Sequence, residues 1–126
     1  MDTLSLCTTS GRGHYSLDAW KESRKLVSAI YRVTQAFPKE EMFGLTAQMR
    51  RASVSVPSNI AEGAARTGSR EYAQFLNVAR GSLSELETQL LIACDLGYIS
   101  SDHPVLFMVN RVAKLVTALH KAIRNR

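Results

Sequence analysis

Residues 72–93 read YAQFLNVARGSLSELETQLLIA, and the apolar positions Tyr72, Leu76, Ala79, Leu83, Leu86, Leu90 and Ala93 fall at steps of four and three. That alternation keeps one narrow face apolar along the whole helix, as in the seam of a coiled-coil-like bundle. Ser69 is the expected N-cap with Glu71 in the first turn, and Gly97 is the expected stop. A helix with one apolar stripe must bury it against other elements, so partners are sought on either side.

Upstream, residues 43–62 read FGLTAQMRRASVSVPSNIAE, and Leu45, Met49, Ala52, Val56 and Ile60 keep the same spacing. Pro57 cannot donate to the carbonyl of Ser53, so a kink, or a break and restart, is expected there; the unbroken period favours a kinked helix. Gly63 is expected to end it. An earlier helix is expected from Ser16 as N-cap, with Asp18 in its first turn, to just before Pro38, burying Trp20, Val27, Ile30, Val33 and Phe37. Downstream of a polar turn at residues 100–104, Val105, Val109, Val112, Val116, Leu119 and Ile123 repeat the pattern. Four amphipathic helices with short connections predict an all-α, antiparallel up-down-up-down four-helix bundle over residues 16–126, preceded by a flexible N-terminal arm, residues 1–15.

Composition agrees. A chain of 126 residues suits one domain, and 45% hydrophobic with 21% charged residues is the balance of a folded soluble protein rather than a disordered one. No Asn-Gly or Asp-Gly hairpin signal occurs. Cys7 and Cys94 have no metal-ligand spacing and form no disulfide framework, so reduced thiols in a cytoplasm are expected. The first residues lack the basic start of a signal peptide, and no apolar run approaches a membrane span.

Phe43-Gly44-Leu45-Thr46, Gln48, Arg50-Arg51-Ala52, the block Val56-Pro57-Ser58-Asn59-Ile60-Ala61-Glu62-Gly63, and Arg80-Gly81-Ser82 with Glu85 and Glu87 resemble the 23S rRNA-intervening-sequence protein family, also called the S23 ribosomal protein family, across residues 17–123. The resemblance implies a compact bundle that assembles into a homo-oligomer, a pentameric ring. It also implies a partner among RNA, DNA, a ribosome component or a reverse transcriptase. The last comes from a related bundle, the accessory protein of diversity-generating retroelements, which binds nucleic acid as a basic ring. This is fold-level analogy.

Two roles compete for the charged residues. If the second and third helices are antiparallel about a turn near residue 66, Glu62 lies near Arg70, and Arg50 and Arg51 lie near Ser82 and Glu85. With Asn59 these are expected to form a structural seam of ion pairs and hydrogen bonds. Gly81 in mid-helix suggests close approach of another helix. The formal net charge is +5, and residues 103–126 hold Arg111, Lys114, Lys121, Arg124 and Arg126 with no carboxylate. Lys21, Arg24, Lys25 and Arg32 line one face of the first helix, with Ser28 between them. Those nine cations are expected to join into one surface that grips RNA or DNA through phosphates, without reading bases. A plain solvated face, and cations complementing the end of the last helix, explain the same residues.

Enzymatic readings find little support. His14, His103 and His120 are scattered, no Glu-x-x-His pair is present, and Ser53, Ser55 and Ser58 have no activating base at motif spacing. No phosphate-loop or dinucleotide motif occurs. The expectation is a non-enzymatic protein without cofactor or metal. It is either a nucleic-acid-associated accessory protein or a protein-protein interaction module with no nucleic-acid role.

Overall fold

The computed structural model describes residues 13–126. A 3-10 turn, Gly13–Ser16, leads into α1 (Asp18–Gln35), α2 (Leu45–Ala64), α3 (Ser69–Asp95) and α4 (Pro104–Arg124), with a second 3-10 turn, Lys39–Glu41, between α1 and α2. The rest of the N-terminal arm, with Cys7, lies outside the described residues, among which there is no strand. Each helix packs on its chain neighbours, α1 also packs on α4, and the diagonal pairs stay apart. The core therefore sits on the axis of a square bundle.

Named contacts fix the directions. Ser55 meets Ser82 at 2.8 Å, and Gly63 lies against Tyr72 and Phe75, so α3 descends as α2 rises. The rings of Phe37, just past α1, and Tyr98, just before α4, lie 5.1 Å apart. At the other end the Arg126 guanidinium stands 5.9 Å over the Tyr72 ring, joining the end of α4 to the start of α3. The bundle is up-down-up-down.

All seven seam positions of α3 are buried, as are Met49, Ala52, Val56 and Ile60 of α2 and Val105, Val109, Val112, Val116 and Ile123 of α4. The first helix is rotated from its expected face. Leu26, Ala29, Ser23 and Thr34 are buried beside Trp20 and Ile30, while Val27 and Val33 are half-buried. Burial of the two hydroxyls is tolerable because each donates to a carbonyl of its own helix, Ser23 to Trp20 at 2.8 Å and Thr34 to Ile30 at 2.7 Å.

The helix ends obey different chemistry from the one expected. Leu17 and Gly68, not Ser16 and Ser69, occupy the N-cap positions of α1 and α3, and neither supplies a side-chain cap. The start of α2 is capped from a distance: the Glu41 carboxylate accepts from the Leu45 N–H at 3.1 Å and from the Tyr98 hydroxyl at 3.0 Å. One carboxylate thus ties both connections at this end of the bundle, and its hydrogen bond is the main cause that pushes the Tyr98 phenol up from its usual pKa. Gly97 does end α3. Its φ of +79° supports a Schellman turn, with Tyr98 N–H on the Ala93 carbonyl at 2.9 Å and Gly97 N–H on Cys94 at 3.0 Å.

Helix α2 runs through Pro57 without a break. The carbonyls next to the missing bond receive extra donors: Ser58 Oγ donates to Val54 at 2.8 Å and Asn59 Nδ2 to Ser55 at 2.8 Å. Gly63 is not the stop. It is a buried residue inside α2, at a close approach to α3, where a Cβ would sit 2.9 Å from Phe75 Cβ and 3.1 Å from the Tyr72 carbonyl. Gly81 has the opposite character: it is exposed, and a Cβ there would meet nothing within 4 Å, so none of the described helices packs against it.

Candidate nucleic-acid interface

The bundle sorts its cations by what lies beside each. Arg50, expected beside Glu85, turns to α1 instead. Its Nε donates to Thr34 Oγ1 at 2.9 Å, and its guanidinium stacks 4.6 Å over the Tyr31 ring. Glu85 accepts from Gln89 Nε2 at 3.1 Å on its own helix. Glu62 pairs with Arg66 at 3.9 Å rather than with Arg70. Arg51 and Arg70 are exposed, and neither forms an ion pair among the described residues.

A shifted register separates Glu62 from Arg70, whereas Arg50 stays near the level of Glu85 and is lost to it because it leaves α2 toward α1. Ser55 lies level with Ser82, and their indices centre near residue 68.5 rather than 66. A centre moved from 66 to 68.5 displaces each partner by about five residues, more than a turn, so the seam slides along α3. What crosses it is the neutral chain Asn59–Ser55–Ser82, with Asn59 Nδ2 to Ser55 Oγ at 2.9 Å.

On α1, Glu22 stands among the cations. It pairs with Lys25 at 3.5 Å and with Arg111 of α4 at 3.8 Å, so these two share one carboxylate. Arg24 lies 4.9 Å over the Trp20 ring. Lys21 is half-buried and Arg32 exposed. Arg32 stands far from the tail of α4, while Lys21, Arg24 and Lys25 lie within a turn of the Glu22–Arg111 level. Taking the Glu22–Arg111 pair as the common level, Arg32 lies ten residues one way and Arg124 thirteen the other. At 1.5 Å rise per residue this separates them by roughly 35 Å along the bundle.

The α4 cations are placed differently. Lys114 and Lys121 are seven residues apart, two turns on one outward line; both are exposed, and neither forms an ion pair among the described residues. Arg124 is exposed on the side toward α3. There one cavity is lined by Arg70, Gln74, Asn77, His120 and Arg124, and a second, which shares Asn77, is lined by Arg80, Ser84 and Glu87; the two make up the α3/α4 groove. His120 is buried in the wall, and burial, followed by the charges of Arg80 and Arg124, holds its pKa below the usual value.

In the sequence Arg124 reads as a phosphate-binding cation and Arg70 as a seam residue, and apolar periodicity alone does not bring the two together. The polar residues Arg70, Gln74, Asn77 and Ser84 keep a related spacing on the face next to the seam. Among the described residues no helix is long and apolar enough to cross a membrane. No curated protein matches the chain. A family model described as 23S rRNA-intervening sequence protein matches residues 15–120, which takes in all four helices but for the last turn of α4. The chain belongs to the 23S rRNA-intervening sequence protein family.

Proposed function

We propose that this protein is a non-enzymatic, oligomeric nucleic-acid-associated accessory or scaffold protein of the cytoplasm that holds RNA or DNA by its phosphates. The carrying observation is α4 itself, where Lys114 and Lys121 are exposed on the outer face and Arg124 toward α3, in a segment, residues 103–126, without a single carboxylate. Lys21, Arg24, Arg32 and Arg126 add to the same field from other positions, while Lys25 and Arg111 contribute less because Glu22 offsets them. Contacts of this kind are sequence-independent and salt-sensitive, and they suit a scaffold that positions a nucleic acid for a protein partner such as a ribosome component.

Self-association draws on a different feature. Met42, Phe43, Leu91, Ile92, Leu96 and Phe107 are exposed, and all lie toward the end of the bundle joined by Glu41 and Tyr98. Apolar residues concentrated at one end mark a surface that another copy would cover, and a ring of five is the assembly that the resemblance implies. The same apolar end favours the alternative reading, a protein-protein module for which nucleic acid is irrelevant.

Titration of arbitrary RNA and DNA duplexes against salt separates the two readings. The proposal expects affinity that falls steeply with salt and weakens for Lys121→Ala/Arg124→Ala/Arg126→Ala, each lost phosphate contact removing about 0.9 from the slope on duplex DNA. No binding at low salt would overturn it. Light scattering at micromolar concentration is expected to give a multiple of the 13.9 kDa chain, and a monomeric mass would overturn the assembly.

A further inference from the structure

The α3/α4 groove has the makings of a site rather than of a solvated face. Arg70 and Arg124 enter it from opposite helices, both are exposed, and neither forms an ion pair among the described residues. Arg80 is anchored farther along by its bond to Asn77 Oδ1 at 3.1 Å, which leaves the Asn77 amide N–H groups able to donate. His120 is 7% exposed, yet it lines this groove and hydrogen-bonds to no described residue. Its ring nitrogens are not among the buried, unpartnered side-chain atoms, so they open onto the groove, where a ligand or water can meet them. Glu87 is the one carboxylate among the groove's lining residues, and it lies at the far end, seventeen residues along α3 from Arg70.

The geometry points to the α3/α4 groove as a phosphate-binding site, in which Arg70 and Arg124 clamp a phosphate group from the two walls while Asn77 and His120 donate hydrogen bonds to it. The arginine fork matches phosphate oxygens, and the neutral donors add direction to the charge. The two cavities that share Asn77 follow one another along α3 from Arg70 to Glu87, about 25 Å at 1.5 Å per residue, which suits consecutive phosphodiesters of one strand better than a lone ion. That choice of ligand rests on the nucleic-acid reading above; the phosphate chemistry does not.

The test uses a labelled single-stranded RNA, inorganic phosphate, and two double variants of equal charge change: Arg70→Gln/Arg124→Gln in the groove and Lys39→Gln/Arg51→Gln away from it. The groove variant is expected to bind RNA at least tenfold more weakly, with a salt slope reduced by about 1.4 for two lost single-strand contacts. The control pair is expected to change affinity less than threefold. By NMR, RNA is expected to raise the His120 pKa in the wild type, because an anion favours the imidazolium, and to leave it unmoved in the groove variant. If RNA binds but both variants weaken it equally and His120 does not respond, the groove is not the site, while nucleic-acid binding stands. If RNA does not bind at all, the nucleic-acid reading fails and inorganic phosphate decides. A His120 response that Arg70→Gln/Arg124→Gln abolishes supports a site for small phosphate compounds, and no response overturns the inference.

Discussion

Gly63→Ala is expected to destabilise the bundle by about 1–3 kcal/mol, although alanine is the better helix former by about 1 kcal/mol. The new methyl would stand 2.9 Å from Phe75 Cβ, 3.0 Å from Tyr72 Cδ1 and 3.1 Å from the Tyr72 carbonyl. None of these is the free end of a flexible side chain, so α2 and α3 must separate. Gly81→Ala supplies the internal control. Its methyl meets nothing, so only the helix preference remains, and a gain of about 0.5–1 kcal/mol is expected. Urea unfolding at one fixed protomer concentration measures both, since association couples stability to concentration. Opposite signs support the close approach at Gly63. A stabilising Gly63→Ala would contradict it, and a destabilising Gly81→Ala would show that another subunit covers that position.

The second large effect concerns Arg50. Arg50→Ala removes a charged hydrogen bond to a buried threonine hydroxyl and the stacking on Tyr31, and a loss of about 2 kcal/mol is expected from the two together. Glu85→Ala is expected to fall within about 0.5 kcal/mol of the wild type, because Glu85 is exposed and bonded only within its own helix. An Arg50–Glu85 ion pair would make both substitutions costly. Equal losses in urea unfolding, or a coupling of more than about 0.5 kcal/mol in the double variant, would restore the seam that the structure replaces.

Where the chain's own periodicity carried information, the fold was legible. Seven consecutive seam positions of α3 are buried as their spacing requires, because a narrow apolar face can be satisfied in only one way. On α1 the signal was blurred by adjacent apolar pairs, Leu26 with Val27 and Ala29 with Ile30. The choice between them was made by small and hydroxyl side chains, Ser23 and Thr34, which a count of hydrophobic residues ignores. The helix starts were misread for a related reason. Ser16 and Ser69 have the right chemistry for caps, but α2 shows that the donor can be met by a carboxylate four residues upstream, through Glu41.

The candidate site was less legible than the fold. A long arginine reaches over several ångströms, so its partner depends on which neighbouring helix it leans toward, and Arg50, though near the level of Glu85, leans toward α1 and bonds to Thr34. Likewise the spacing of the α1 and α4 cations could not be read while their levels along the axis were unknown. One ion pair, Glu22 with Arg111, fixed those levels and put Arg32 and Arg124 toward opposite ends. Residues 103–126 needed no such information, since a segment without carboxylates stays basic in any register.

The central claim is that the fold leaves the α4 cations available to phosphates while Glu22 offsets those on the α1/α4 seam. The most direct measurement is the slope of log affinity against log salt for one RNA duplex, in the wild type, Lys25→Ala/Arg111→Ala and Lys114→Ala/Lys121→Ala, which remove equal charge. The account predicts a slope close to the wild type's for the first variant and one reduced by about 1.8 for the second, if duplex RNA resembles DNA in this respect. Equal reductions in both variants, or a larger one in Lys25→Ala/Arg111→Ala, would contradict it.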